Sequence, residues 1–480
     1  MDASTSTGWF RDEFSKIDFG DQRLNDRFLR TGEMLSEQPE APINKACNSW
    51  SDTKAAYRLF QNNKVSSKSI LAVHVANTLE RAKGFKTILA IQDTSFLDFK
   101  THPKTKGLGH IGKSYGAAHD TYGLLMHSTY ALTPTGLPIG LLDQEIWARK
   151  DVKKTKKSRN NKRCNENSKR PIEEKESFKW IKSLKNVTSA ASAESTSLIH
   201  IADREADIYE LFCEASRSNT SYIVRAKHDR KVNKSSRRSQ SGENLWDFIC
   251  KEKPVGTTSI RVLAKPGQVQ RDAECDVSYS TFLLNAPKQK TRTKDNYLEE
   301  VSVTAIFVKE RHSPADSEAI EWVLLTNLPV ADFKDALQIA TWYSYRWQIE
   351  VFHKILKSGC TVEHCRLNTA DRLERFVTLM SVIAWRMHWL TIISRQAPET
   401  PCTTVFSDSE WKSICMFKAK NATLVRKPPT VRELLRMIAG LGGFLGRKGD
   451  GEPGPQTLWR GWQRMNDIRE AWEITNGRCG

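Results

Sequence analysis

Thr87-Ile88-Leu89-Ala90-Ile91-Gln92-Asp93-Thr94 is a short apolar run closed by an acid. Runs of this length without alternation belong to strands buried on both faces. The theme returns in Ser197-Leu198-Ile199-His200-Ile201-Ala202-Asp203, again closed by an aspartate. Residues 124–132, 137–142, 221–226 and 322–326 read as further strands, with helical segments such as 174–184 between them. Strands interleaved with helices predict an α/β domain. The two aspartates then lie at carboxyl ends of strands, where open α/β sheets gather ligands.

On either side the pattern turns helical. In residues 23–37, Leu24, Phe28, Leu29 and Leu35 alternate with Arg23, Arg27 and Arg30. A second basic helix is expected over residues 51–62, with Ser51-Asp52-Thr53 offering N-cap oxygens and Lys54 and Arg58 on its surface. Residues 1–70 thus form a small helical domain suited to DNA, a solvated helical cap being the plainer alternative. From about 370 the chain is helical again, with residues 373–393 strongly apolar and a shorter helix over 431–438. A glycine-rich turn (440–446) and a loop to Pro455 precede a last helix with Trp459, Trp462 and Trp472. The α/β domain spans residues 71–370 and the C-terminal helical domain 371–480. Two stretches interrupt the α/β domain. Residues 151–170 hold nine Lys or Arg, a basic loop. Residues 229 to about 320 look β-rich but irregular, with a charged run over 288–294, and read as an insertion.

Composition narrows the function. Hydrophobic residues are 39% of the 480, with 14 Trp and 19 Phe, enough for folded cores. The formal net charge of +18 and isoelectric point near 9.4 point to a polyanionic partner, most simply nucleic acid. No stretch is expected to span a membrane, and the start of the chain has no secretory pattern. The ten cysteines are scattered, so a reducing cytoplasm fits better than a disulfide framework.

Residues 335–357 read as one helix on which Tyr343, Arg346, Glu350, Lys354 and Lys357 recur at spacings of 3, 4, 4 and 3, forming a single stripe. Ile339, Trp342, Ile349, Phe352 and Leu356 fall elsewhere and can pack. The stripe could be a solvated face laced with ion pairs. One acid among three bases also suits a metal site on a phosphate backbone. Two strand-end aspartates and one helical glutamate offer hard oxygen ligands for two divalent cations. Such a pair can activate a water or a 3′-hydroxyl and stabilise the leaving oxygen of an in-line displacement at phosphorus.

Asp203-Arg204-Glu205-Ala206-Asp207-Ile208-Tyr209 and the spaced Tyr343, Arg346, Glu350 and Lys357 together resemble the insertion-sequence-four family of bacterial DDE transposases with a YREK signature. The similarity extends to Ala56-Tyr57-Arg58, Ile91-Gln92-Asp93-Thr94, Val224-Arg225-Ala226-Lys227-His228, Trp322-Val323-Leu324-Leu325-Thr326, Phe352-His353-Lys354 and Leu441-Gly442-Gly443-Phe444. The resemblance implies a ribonuclease-H-like catalytic core with a β-rich insertion, flanked by helical N- and C-terminal domains. It implies that Asp93, Asp203 and Glu350 hold two Mg²⁺ ions, with Mn²⁺ able to substitute. Tyr343, Arg346, Lys354 and Lys357 would grip phosphates, and Trp322 would accommodate a flipped base. Arg225, Lys227 and His228 would face the terminal DNA, and Arg23, Arg27 and Arg58 the end sequence. The implied partners are double-stranded transposon ends, target DNA and a second copy in a synaptic homodimer. The implied place is the nucleoid of a bacterial cytoplasm. The implied reaction is cut-and-paste: nicking, hairpin formation, hairpin opening and strand transfer. The basic stretch 151–170 is longer than the family leads one to expect.

Other signals weigh less. Gly107, Gly112, Lys113 and Ser114 fit a P-loop formally, but a strand before and a helix after are missing, so a surface loop is expected. His353, Cys360, His364 and Cys365 match no zinc spacing. Glu205 and Asp207 read as structural, the first a local hydrogen-bond partner and the second a helix-start charge. A catalytically inactive inhibitory relative is the alternative function, and the intact Asp93, Asp203 and Glu350 speak against it.

Overall fold

The computed structural model describes residues 8–102, 104–113, 120–150, 170–191, 196–233, 243–262, 271–284, 300–314, 318–419 and 427–476. The expected basic loop 151–170 (all but Arg170), the charged run 288–294 and Ser114 lie outside them.

Five helices open the chain: α1 (Trp9–Glu13), α2 (Gln22–Glu37), α3 (Ile43–Ala46), α4 (Trp50–Gln61) and α5 (Ser67–Ala82). In α2, Asp21 caps the start by accepting from the Arg23 amide, and Leu24, Phe28 and Leu35 are buried at helical spacing. The cap of α4 is Ser49, which accepts from the Asp52 amide, and not one of residues 51–53. Asp52 is the third residue inside the helix, and its carboxylate holds Arg30 and the Ser49 hydroxyl.

Strands follow: β1 (Thr87–Asp98), β2 (Gly109–Lys113), β3 (Asp120–Leu132) and β4 (Pro138–Trp147). Then come α6 (Phe178–Ala191), β5 (Ser197–Ala202), α7 (Tyr209–Arg217) and β6 (Ser221–Arg225). The next set is β7 (Lys231–Asn233), β8 (Glu243–Asn244), α8 (Leu245–Cys250), β9 (Gly256–Val262), β10 (Arg271–Leu284), β11 (Val301–Glu310) and β12 (Glu321–Thr326). Among the described residues all twelve strands join one sheet, ordered β2-β3-β1-β5-β6-β12-β11-β10-β7-β8, with β4 on β3 and β9 on β10. β3 and β4 are antiparallel to their neighbours, whereas β1, β5 and β6 run parallel. The stretch 229–320 is therefore less irregular than its sequence reads. Its long strands β10 and β11 pair over ten residues and extend the central sheet through β12, which saturates edges that would otherwise stand open. The glycine-rich 109–113 segment is likewise an edge strand, not a loop.

β1 is buried on both faces. Ile88 and Ala90 pack with Val187 of α6, while Leu89 and Ile91 face the larger cluster that includes Ile349 and Phe352. The remaining helices are α9 (Phe333–Ser344), α10 (Trp347–Lys354), α11 (Ala370–Gln396), α12 (Asp408–Ala419), α13 (Val431–Leu441) and α14 (Pro455–Thr475). Contrary to expectation, one of them, the 27-residue α11, is long and apolar enough to cross a membrane by length and composition. It is instead the central core helix, with Leu373, Val377, Met380, Ala384 and Met387 all buried. The cluster it belongs to runs from Phe10 in α1 to Trp459 in α14, so the flanking helices share packing with the sheet.

A buried polar knot pins α1 to this body. Glu13 accepts from His74 Nδ1 at 2.6 Å and from Arg81 Nη1 at 2.8 Å, and His74 Nε2 accepts the Leu141 amide at 3.0 Å. Because one ring nitrogen accepts, the imidazole is neutral, as burial also requires. Burial would raise the Glu13 carboxyl, but His74 and Arg81 outweigh it and hold it at about 2. Its stabilising effect is thus present above pH 4.5 and is lost as pH falls through 2. Glu13→Ala, which strands Arg81 and His74, is expected to cost about 3 kcal/mol by chemical denaturation at pH 7. The wild type should lose that advantage over the variant between pH 4.5 and 2; a gap that stays constant with pH would refute this.

Candidate active site

β1 pairs with β5 only as far as Ile91 beside Ile201, then continues alone against β3 to Asp98. Asp93 is therefore inside a strand, not at its end; what ends there is the parallel pairing. The antiparallel partner β3 supplies backbone bonds that carry β1 onward. Two residues past the last parallel pair, Asp93 and Asp203 leave the sheet on the same face as Ile91 and Ile201, by the two-residue alternation of strands. Asp203 caps a short 3₁₀ turn, its Oδ1 accepting the Glu205 amide at 2.8 Å. Glu205 serves through its backbone, as expected of a structural neighbour. Asp207 is not a helix-start charge. Its buried carboxylate accepts the Lys227 and His228 amides at 2.7 and 2.9 Å and pairs with Arg230, tying α7 to the turn after β6.

α9 and α10 are not one helix. Tyr345, Arg346, Gln348 and Ile349 bond three residues back, so a tight turn separates the two segments, and residues 355–359 close α10 with a π-turn. This rotates the expected stripe. Tyr343 is buried, its ring meeting Trp322 edge-on at 5.1 Å, whereas Lys354 is exposed. Arg346 holds Glu350 Oε1 at 2.5 Å. The expected packing residues Ile339, Ile349, Phe352 and Leu356 are buried.

A cleft of about 550 Å³ is lined by Asp93, Thr94, Ser95, Glu350, His353, Lys354, Lys357, Ser358 and Glu363. It brings Asp93, Glu350, Lys354 and Lys357 together. Asp203 does not line it, but its charge reaches both Asp93 and Tyr343. Burial pushes the Asp93 carboxyl up to about 7; Arg346 opposes this, and Asp203 and Glu350 reinforce it. His353 Nδ1 stands 3.6 Å from Asp93 Oδ2, and burial keeps this imidazole neutral, at about 3. His353 thus lies beside Asp93, within the Phe352-His353-Lys354 stretch of the resemblance. Lys357 is paired with Glu363 at 3.4 Å, and Glu363 also accepts the Asp98 amide.

The donor set is all carboxylate, which suits hard divalent cations. Among the described residues, no three His, Cys, Asp or Glu side chains are gathered closely enough to hold a metal ion. The acids gather to mutual electrostatic range and no closer, as expected of like charges while Arg346 engages Glu350.

Arg225 ends β6 and donates to the Glu321 carbonyl at 2.9 Å; burial lowers its pKa. Lys227 and His228 lie beyond the strand in an exposed turn, not on a strand. Arg23 and Arg58 are exposed and Arg27 half-buried, on α2 and α4, which pack against each other. Trp50, 71% exposed and under Lys54, shares that surface.

Three family models match successive stretches. Residues 6–65 match a transposase DNA-binding model, residues 143–387 a transposase DDE domain, and residues 382–475 a transposase Tn5 dimerisation domain. The DDE match covers just over half of the chain; it includes Asp203 and Glu350 and begins after Asp93.

Proposed function

Because the chain belongs to the transposase DDE family, we propose that it is a cut-and-paste DNA transposase of the insertion-sequence-four type, with Asp93, Asp203 and Glu350 as its catalytic carboxylates. The family implies a ribonuclease-H-like core, which agrees with the mixed sheet at the centre of the fold. The observation that carries the site assignment is geometric: Asp93, its side chain 18% exposed, shares one cleft with Glu350, and the Asp203 charge acts on it in the direction in which its carboxyl is raised. Such a cluster of acids is unfavourable alone and becomes favourable around cations. Two Mg²⁺ ions, or Mn²⁺, would supply Lewis-acid stabilisation of the attacking and leaving oxygens in each displacement.

The protein's own residues prepare that chemistry. Asp93 and Asp203 approach from adjacent parallel strands, and Glu350 from α10 across the cleft. Arg346, beside Tyr343 and bonded to Glu350, keeps a positive charge at the acids. Lys354 at the exposed rim and Lys357 at the π-turn grip phosphates of the bound strand. For Lys357 this means leaving Glu363. Arg225, Lys227 and His228 border the terminal duplex, and Arg23, Arg27 and Arg58 contact the end sequence through phosphates and base edges. We divide the chain into a DNA-binding unit (1–70), a catalytic unit (71–370) and a dimerising unit (371–480), and the homodimer would pair two transposon ends. The bacterial cytoplasm, at the nucleoid, is where such a protein would work.

The whole reading is tested by incubating the protein with a library of candidate DNA ends and Mg²⁺ and sequencing the products. Discrete cuts at one end sequence are expected. Random cutting would point to a nonspecific nuclease, and binding without cutting to an inactive relative.

Trp322 receives the flipped base of a hairpin intermediate in this scheme. Trp322→Ala is expected to slow hairpin formation at least about tenfold, ~1.4 kcal/mol, from lost base stacking, and first nicking much less. Single-turnover kinetics separate the two steps. Equal slowing would mean that the indole acts only by supporting Tyr343.

A further inference from the structure

Behind the carboxylates, on the opposite face of the sheet, lies a buried polar chain across three adjacent strands. Thr94 Oγ1 bonds His127 Nδ1 at 2.9 Å, His127 Nε2 bonds Gln92 Oε1 at 3.3 Å, and Gln92 Nε2 bonds His200 Nδ1 at 2.9 Å. Thr94 and Gln92 belong to β1, His127 to β3 and His200 to β5. Gln92, His127 and His200 are all at most 2% exposed.

The donors run in one direction. The Gln92 amide nitrogen must donate, so His200 Nδ1 accepts and its proton sits on Nε2, which has no partner among the described residues. Gln92 Oε1 must accept, so His127 carries its proton on Nε2, and its Nδ1 accepts from the Thr94 hydroxyl. Both imidazoles are neutral, the state that burial imposes. Three side-chain bonds link the four residues, with only the His200 Nε2–H left over, and bonded buried networks fix one arrangement more sharply than apolar packing does. The bonded residues flank Asp93 on both sides in sequence, and His200 stands three residues before Asp203.

Resting on the reading of Asp93 and Asp203 as metal ligands, we infer that Gln92, His127 and His200 are positioning residues: a cross-strand clamp that sets the separation of the two aspartates from behind the sheet. β1 and β5 lose their backbone pairing at Ile91 and Ile201, just before both acids, and the clamp supplies the constraint there. It acts by alignment, and Gln92, His127 and His200 do not line the cleft.

The test is direct Mn²⁺ binding to the full-length protein without DNA, read by electron paramagnetic resonance, alongside the melting temperature. His127→Leu keeps volume and deletes both bonds; His127→Gln restores one donor and one acceptor. Gln92→Met breaks the chain at its centre and guards against a folding failure of the first variant. The expected result is about tenfold weaker Mn²⁺ binding in folded His127→Leu and Gln92→Met, and affinity within about threefold of wild type in His127→Gln. Unchanged Mn²⁺ affinity in either folded breaking variant would overturn the clamp while leaving the metal reading intact. So would a loss in His127→Gln equal to that in His127→Leu. Absence of Mn²⁺ binding by the wild type, or binding unaltered in Asp93→Asn, would overturn the metal reading and the clamp with it.

Discussion

Glu350→Gln is expected to lower DNA cleavage by at least about a thousandfold, ~4 kcal/mol of lost transition-state stabilisation, while end binding changes less than about threefold. The substitution keeps the shape of the side chain and an oxygen for Arg346, whose bond to Glu350 Oε1 is 2.5 Å. The fold of α10 should therefore survive, since Ile349 and Phe352 beside it stay packed. In the proposed mechanism what is lost is one negative charge at the cation site, and hard cations bind amides far less tightly than carboxylates. DNA affinity rests on the basic residues and should persist, because phosphate contacts supply most of it. A gel shift measures binding and a denaturing gel measures cleavage. Lost binding with cleavage retained would remove Glu350 from the chemistry.

The second large effect is a pH-dependent response to metal. Asp93 titrates near 7 in the fold against a usual 3.8, chiefly because it is buried. A raised carboxyl favours the folded state while protonated. That contribution is fully present below 3.8 and is lost as pH rises through 7, at most ~4 kcal/mol over about three pH units. If Asp93 is a ligand, a divalent cation would take the place of the proton and restore what ionisation removed. In EDTA the melting temperature should therefore fall between pH 5 and pH 8. Mg²⁺ should recover it at pH 8 and do little at pH 5, where the proton competes. Asp93→Asn should flatten both dependences, since an amide neither ionises nor attracts the cation. An Mg²⁺ shift equal at the two pH values, or undiminished in Asp93→Asn, would be incompatible with Asp93 as a ligand.

Much of the frame was legible from local pattern. The run that ends at Ala202 is a strand with the expected boundaries, and the helix expected over residues 23–37 begins one residue earlier and ends where expected. Both have one strong period and a clear end signal. Asp93, Glu350, Lys354 and Lys357 share a cleft that Asp203 does not line. The helix through residues 335–357 was misread because its apolar spacing continues across Tyr345 and Arg346; periodicity records which residues can be buried, not where the backbone tightens. The stretch 229–320 looked irregular because its strands earn their order from partners far along the chain. β11, for example, pairs with both β10 and β12.

The sequence alone determined the residue types: three acids able to hold hard cations, an excess of base for a polyanion, and apolar runs that must become buried strands and helices. Only the tertiary structure decided their relations. It turned Tyr343 inward against Trp322, set Arg346 on Glu350 and Lys357 on Glu363, and built the Thr94–His127–Gln92–His200 chain from three strands. The reason is physical. Burial and charge coupling depend on distances through space, and residues such as Gln92 and His200, 108 positions apart, acquire a hydrogen bond only when the sheet brings their strands side by side.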